Sequence, residues 1–399
     1  MPDSTQRPDA SARTEPSLPT ERDASVDYLH IGPGTLAGRY LRRFWHPIAE
    51  SASLVPGQNL PVRLLGESFA LYRGASGTPH LVEPLCPHRR TRLSVGWVEG
   101  DSLRCMYHGW RFRPDGVCDE MPAERADTDC SRMRVRTYPV RDYLGLVFAW
   151  IGDGEPPELP RYPVLEGPGV RDIYVNQGPY NWFSVVDNML DPSHTPFTHT
   201  GAGFAENGVV GVPKVTGQES SWGIVQYGER PGGGVRVNHF GMPNIFHNRF
   251  PPTTPEGGWE ALVVWCVPID DRLHRNFWIT LADVHGEAAD RYRAVRAERK
   301  ARLATLPPPE TIAQAILDGE TTLQAHADRP DLVALQDLVT QMGQGECPDR
   351  SLERLVRSDV LVALVRRIYV RELTALRDGR PLKDWAWSDA IVAEVGGSP

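Results

Sequence analysis

Hydrophobic and polar positions change rhythm along the chain, and the changes divide it. Residues 36–48 read as a short helix leading into a strand. Residues 60–150 then alternate in short runs: Pro61–Leu65, Phe69–Arg73, His80–Pro84, Ser102–Met106, Val135–Val140 and Leu144–Ile151. Gly, Asp, Asn and Pro separate many of these runs, the punctuation of strands joined by turns. Residues 152–170 are rich in Gly, Pro and Glu and read as a linker. Alternation resumes over 171–283, with Arg236–Phe240, Trp259–Val267 and Asn276–Leu281 as strands and Asn181–Leu190 as a helical interruption. From 287 onward the apolar spacing becomes helical, in Ala288–Leu303, Asp331–Met342 and Ser351–Leu376. No internal repeat is visible. The pattern predicts an α+β chain: a tail over 1–27, an all-β domain over 28–160, and an antiparallel sheet flanked by helices over 161–399.

Composition narrows the class. The chain has 399 residues, 40% of them hydrophobic, enough for a large core. Its 43 Lys and Arg against 51 Asp and Glu give a net charge of −8, which argues against nucleic acid as a partner. The longest apolar runs, Ala261–Val267 and Leu361–Val365, are far shorter than the roughly 20 residues of a membrane span. Residues 1–27 are polar and Pro-rich with no apolar leader segment, so a disordered tail and a cytoplasmic location are expected. Six cysteines do not make a disulfide scaffold, and in a reducing compartment clustered Cys and His point to metal.

Such a cluster is present. Cys86-Pro87-His88 is followed after sixteen residues by Cys105-Met106-Tyr107-His108. Each loop offers one thiolate and one imidazole, and two facing loops make a four-ligand site. A tetrahedral zinc accepts two Cys and two His. A [2Fe–2S] centre accepts the same set, two Cys on one iron and two His on the other, with its potential raised to about −150 to +300 mV. The strand-rich setting and the flanking Arg89, Arg90, Tyr107, Gly109 and Trp110 favour the cluster. Cys118, Cys130, Cys266 and Cys347 have no partners at ligand spacing and read as structural.

These two loops resemble the signature of the Rieske ring-hydroxylating oxygenases. The likeness extends through Arg42-Arg43-Phe44-Trp45-His46-Pro47-Ile48 and Gly116-Val117-Cys118-Asp119-Glu120-Met121-Pro122. It is nearest the phthalate-dioxygenase-like branch, which works without a small second subunit. The resemblance implies a Rieske [2Fe–2S] domain over 28–160, with Cys86, His88, Cys105 and His108 as cluster ligands, and a catalytic mononuclear-iron domain over 161–399.

A second constellation fits that expectation. In Asp191-Pro192-Ser193-His194-Thr195-Pro196-Phe197-Thr198-His199 the two histidines stand five apart. On a continuous helix they would diverge by about 140°, but Pro196 between them breaks the regularity. Two His and one carboxylate form the facial set of non-haem Fe(II) oxygenases. In the family this pattern supplies two iron ligands, which carries over to His194 and His199. Asp191, three residues before His194, is expected to hydrogen-bond that ligand through its carboxylate. The family further implies that this Asp couples to a Rieske histidine of a neighbouring subunit, here His108, and hence a trimer or doubled trimer. The third ligand expected is Asp337, a mid-helix carboxylate among apolar neighbours, with Asp331 reserved as the helix cap.

The activity implied is the oxygenase component of a Rieske oxygenase. It would use O₂ to hydroxylate or demethylate a small organic substrate, expected to be aromatic. Electrons would come from NAD(P)H through a separate reductase, with or without a ferredoxin, because no dinucleotide motif occurs in the chain. An aromatic acid is the expectation at the level of the branch, with Arg249 as the carboxylate's partner. The stretch His239–Phe250 and Trp265 are candidate pocket residues, with ordinary core strand as the alternative. Asn181 reads as a helix cap, with a pocket role as the alternative; Asp187 and Asn188 as a polar helix face, with support of the iron ligands as the alternative; and Arg366 and Arg367 as solvated charge, with a docking site as the alternative. Two rivals stay open: a Rieske electron-transfer protein and a zinc-stabilised binding protein.

Overall fold

The computed structural model describes residues 26–386 apart from 126, 203–210 and 232–233. The expected tail at 1–27 therefore falls almost wholly outside the described residues. Two four-stranded antiparallel sheets and one three-stranded sheet build the first part. One sheet is ordered Asn59–Leu64, Glu67–Arg73, Pro79–Val82, Thr137–Tyr138, and another Trp97–Glu99, Ser102–Arg104, Arg111–Phe112, Cys118–Glu120. The third pairs Leu146–Ala149 with both His46–Glu50 and Val140–Tyr143. The predicted strands are therefore present with ends shifted by a few residues. The predicted Val135–Val140 run is the exception, splitting into Thr137–Tyr138 and Val140–Tyr143.

A seven-stranded antiparallel sheet forms the second part. Its order is Val170–Gly178, His274–Ala282, Glu260–Pro268, Ile245–Phe250, Val235–Gly241, Gly223–Glu229, Lys214–Glu219. Apart from Val170–Gly178 at one edge, this is a meander of sequential hairpins. Helices Trp182–Met189, Gly286–Ala304, Pro309–Leu317, Leu332–Met342 and Val360–Arg377 accompany it. The last begins nine residues after the predicted Ser351, because two short 3₁₀ turns occupy 350–352 and 357–359.

The pleat assigns each face of this sheet. Paired residues of antiparallel strands project to the same side. Trp265 pairs with Phe277 and Val263 with Ile279, and this face meets the first part of the chain. There the Trp265 ring lies 5.0 Å from Tyr162 and 5.7 Å from Phe148. The opposite face carries Leu262, Val264 and Cys266. It meets the helices: Cys266 Sγ donates to the Trp182 carbonyl at 3.4 Å, and Met189 packs against Phe246, Leu262 and Val264. One continuous apolar core runs through both parts and includes Phe69, Leu71, Phe148, Trp182, Trp265 and Tyr369.

A tight turn adds to the junction. Leu65 and Gly66, both at positive φ, form the two-residue loop between Asn59–Leu64 and Glu67–Arg73. Their N–H groups donate to the carbonyls of Pro268 and Ile269 in the second part. Buried contacts thus cross the boundary expected near residue 160.

Candidate active site

The two motif loops are turns of the same make. Cys86 accepts from the Arg90 N–H at 2.9 Å, and Cys105 accepts from the Gly109 N–H at 3.0 Å. Each turn places a residue at positive φ, Arg90 at 59° and Gly109 at 73°. At Gly109 a side chain would also strike Pro122, 2.7 Å from the position of its first carbon. Cys86 and Cys105 are buried, at 2% and 1% exposure, in a small core with Leu93, Leu103, Trp110 and Phe112. His88 is exposed and half-buried His108 stands beside it, ring centroids 4.5 Å apart. The His88 ring also stacks on Trp110 at 4.6 Å.

This arrangement separates the zinc and cluster readings. A single tetrahedral metal draws its four ligand atoms together. Among the described residues, the only set of three or more metal-binding side chains whose ligand atoms converge within 4.8 Å lies elsewhere. The two thiols and two imidazoles are paired off, sulfur inside and nitrogen outside, as two bridged irons require. Burial pushes the Cys86 thiol up to about 12, and neighbouring Cys105 adds to the rise. Thiolates at this place need a bound cation to stabilise them.

The converging set is His194, His199 and Asp337. Helix Trp182–Met189, capped by the Asn181 side chain on the Phe183 N–H at 3.0 Å, ends just before Asp191. A four-residue helix, Thr195–Thr198, follows, with His194 at its start and His199 at its end. Pro196 sits in its first turn, where its missing N–H costs nothing. The histidine rings are 5.3 Å apart. Asp337, on helix Leu332–Met342, places Oδ1 at 3.5 Å from His199 Nε2 and 3.9 Å from His194 Nε2.

Hydrogen bonds turn the right nitrogens inward. His194 Nδ1 donates to the Asp191 carbonyl oxygen. His199 Nδ1 meets Gln336 Oε1 at 3.2 Å, and Gln336 Nε2 donates to the Thr200 carbonyl at 3.1 Å, which fixes the amide. Both Nδ1 atoms are thereby the donors, leaving each Nε2 lone pair for a metal. Asn188 Nδ2 donates to Asp337 Oδ1 at 3.3 Å. Burial lowers the pKa of His194 and so keeps it neutral. Burial also raises that of Asp337, with His199 and His194 pulling it back. Two imidazoles and one carboxylate suit Fe(II).

Several sequence expectations change here. The Asp191 carboxylate lies 4.0 Å from His194 Nδ1, so the backbone carbonyl, not the side chain, holds that ring. The carboxylate accepts from the Ser193 N–H instead, in a local turn. Asp331 stands at the start of its helix, but its carboxylate pairs with Arg329 at 2.8 Å rather than with the backbone. Asp187 and Arg366 are not solvated. They are buried together at 2.6 Å, with Arg350 at 3.0 Å. Asn188 takes the second of its two expected roles, donating to Asp337. Trp265 and Arg249 lie on the sheet face away from the helices. Gln336 went unnoticed, although it immediately precedes Asp337; an amide within an apolar helix was the available signal.

No helix among the described residues is long and apolar enough to cross a membrane. The family model for the Rieske [2Fe-2S] domain matches residues 44–139. The chain is 32% identical over 373 residues to the phenoxybenzoate dioxygenase subunit alpha of Ectopseudomonas oleovorans, covering 88% of this chain and 84% of the relative. It is 41% identical over 174 residues to the 5,5'-dehydrodivanillate O-demethylase oxygenase subunit of Sphingobium sp., covering 42% and 41%. Among solved structures it resembles Pseudomonas putida CBB5 NdmA with caffeine, TM-score 0.63 at 19% identity, covering 85% of this chain and 93% of that one. The terminal oxygenase of carbazole 1,9a-dioxygenase from Novosphingobium sp. KA1 matches at TM-score 0.61 and 21% identity, covering 85% and 92%.

Proposed function

We propose, on the premise that this chain belongs to the Rieske non-haem iron oxygenases and is an oxygenase component, that its two metal centres are held as follows. Cys86, Cys105, His88 and His108 ligate the [2Fe–2S] cluster. His194, His199 and Asp337 ligate the mononuclear iron. The convergence of those last three side chains, with both Nδ1 atoms engaged elsewhere, carries the reading. The domains divide as 28–160 and 161–399.

When bound, the two centres supply electron transfer and O₂ activation, with electrons from NAD(P)H reaching the chain through a separate carrier. The chain's own residues set the conditions. Cys86 and Cys105 anchor the inner side of the cluster site in the core. His88, His108 and the exposed Met106 and Tyr107 present its outer side to the carrier. Asp191 leaves its carboxylate half-exposed, available to His108 of the partner subunit in a trimer or doubled trimer. Gln336 and Asn188 hold the ligands in one orientation. Phe246, Leu262, Val264 and Trp278 give the substrate an apolar floor on the helix-facing side of the sheet.

The substrate is a small aromatic molecule, hydroxylated or demethylated. Relatives named for phenoxybenzoate, dehydrodivanillate and 3-chlorobenzoate support this. The setting is the cytoplasm.

The test is metal and sulfide content of anaerobically purified protein, with its EPR spectrum after reduction. About three irons and two sulfides per chain with a Rieske signal are expected. His194→Ala or His199→Ala should lower iron towards about two and leave the Rieske signal intact. One zinc with no sulfide overturns the reading.

A further inference from the structure

Two cysteines outside the metal centres meet in the fold. Cys118 opens strand Cys118–Glu120 and is buried in the small core that also holds Cys86 and Cys105. After that strand the chain runs out over the surface and returns. On its return the Met133 carbonyl accepts from the Cys118 N–H at 2.8 Å, and the Met133 N–H donates to the Cys130 carbonyl at 2.9 Å. Among the described residues of 122–134, Cys130 is the only one that is not exposed. It turns inward against the core that holds Cys118. The two thiols lie within hydrogen-bonding reach of each other.

The pair sits beside a brace for the second motif loop. Arg104 donates to the Gly109 carbonyl at 2.6 Å and to the Glu120 carboxylate at 2.8 Å. Pro122 stands 2.7 Å from where the first side-chain carbon of a residue replacing Gly109 would be, and Met121 packs on the same small core. Residues 120–122 therefore lean on the loop whose Gly109 N–H closes its turn on Cys105. Beyond them the Glu124 N–H donates to Met121 and the Thr128 N–H to Arg125, both local turns. The segment is thus fastened at its two ends, by strand Cys118–Glu120 and by Cys130.

Two thiols in contact need only a small shift to reach the roughly 2.0 Å of a sulfur–sulfur bond, and an exposed segment on one side can supply it. Burial, with Cys130 alongside, pushes the Cys118 thiol up to about 11. Half-buried Cys130 is therefore the sulfur that reacts first, with Cys118 held behind it as the resolving thiol.

We propose that Cys118 and Cys130 form a reversible dithiol–disulfide site, which a low-molecular-weight disulfide closes and a thiol reopens, and that the closed bond fastens segment 121–130 against the second cluster loop. In the closing step Cys130 loses its proton and attacks one sulfur of the reagent, releasing one thiol. Cys118 then loses its proton and attacks the Cys130 sulfur, releasing the second. The reagent's sulfur–sulfur bond breaks as the Cys118–Cys130 bond forms. Two electrons and two protons pass to the released thiols. The bond stands apart from the oxygenase reading, and its effect on the cluster rests on that reading.

The experiment equilibrates the anaerobic holoenzyme in mixtures of reduced and oxidised glutathione, quenches with acid, and alkylates in denaturant with a chelator. Trypsin cuts after Arg125 and Arg132, which puts the two cysteines on separate peptides, residues 112–125 and 126–132. From reducing mixtures both should emerge alkylated and separate. From oxidising mixtures they should emerge joined, lighter than the two free thiol peptides by two hydrogens, about 2 Da. Closing the bond should slow loss of the Rieske EPR signal to a chelator by roughly tenfold, the order expected for a cross-link over a loop of this length. Cys130→Ala, which spares the more buried partner, should lose its cluster at one rate in both mixtures. Peptides that stay separate in excess oxidised glutathione overturn the proposal. So does glutathione retained on Cys130 with Cys118 free, or cluster loss equally fast with the bond open and closed. Joined peptides from a preparation without iron or sulfide would uphold the bond and sink the oxygenase reading instead.

Discussion

His194 and His199 stand five residues apart, a spacing that a continuous helix would splay. The chain resolves this by making the helix only four residues long and putting the histidines at its two ends. Pro196 marked the irregularity in the sequence, so this pair was legible. Asp337 was legible too, as an acid among apolar helix positions. What was not legible is which atoms hold the rings. The Asp191 side chain looked like the partner of His194, but a backbone carbonyl takes that place, and backbone partners leave no trace in residue identity. For His199 the partner is Gln336, more than a hundred residues away, and only folding brings them together. Losing such a partner typically costs 10- to 100-fold in metal affinity, roughly. Gln336→Leu should therefore lose mononuclear iron to a chelator at roughly 10- to 100-fold lower chelator concentration, with an unchanged Rieske signal. Iron retention equal to the parent would show that the hydrogen bond does not matter to the site.

At the scale of elements, strands and helices followed from periodicity, but the ties between them did not. Asp187 read as a polar helix face because a helical wheel cannot say which neighbour a charged residue meets. In the fold, Asp187 on the helix leading to the iron site accepts from Arg366 of helix Val360–Arg377 and pairs with Arg350 of the 3₁₀ turn before it. Glu353 completes the group by pairing with both arginines. Asp187 and both arginines are buried, so removing Asp187 leaves two guanidinium groups sharing the one carboxylate of Glu353. Breaking a buried pair of this kind costs up to about 3–5 kcal/mol. Asp187→Ala should lower thermal stability by that order, read as the fall in Tm. It should also loosen Asn188 and with it the hold on Asp337. A loss below about 1 kcal/mol, the range of exposed pairs, would mean that water reaches the cluster.

For the whole molecule, the outstanding matter is where electrons cross from one centre to the other. Among the described residues, the aromatic rings packed against His88 and His108 are each other's and those of Trp110 and Tyr107, all within the first domain. None of these ring contacts involves His194 or Asp337 of the same chain. Asp191, at the iron site, keeps a half-exposed carboxylate. A closed head-to-tail ring would place the cluster of one subunit against the iron site of the next. Mixed oligomers decide this. One parent would carry Cys105→Ser, which removes the cluster, and the other Asp337→Ala, which removes the mononuclear iron. Each alone should be inactive. Co-assembled and selected through two affinity tags, each mixed trimeric ring carries an intact pair at about a third of its interfaces, with activity to match. Transfer within one chain predicts none, because no subunit then carries both centres. Silence in mixed oligomers that retain half the clusters and half the mononuclear iron would place the path inside the subunit. It would also return Asp191 to the role its hydrogen bond already describes, a turn that sets His194.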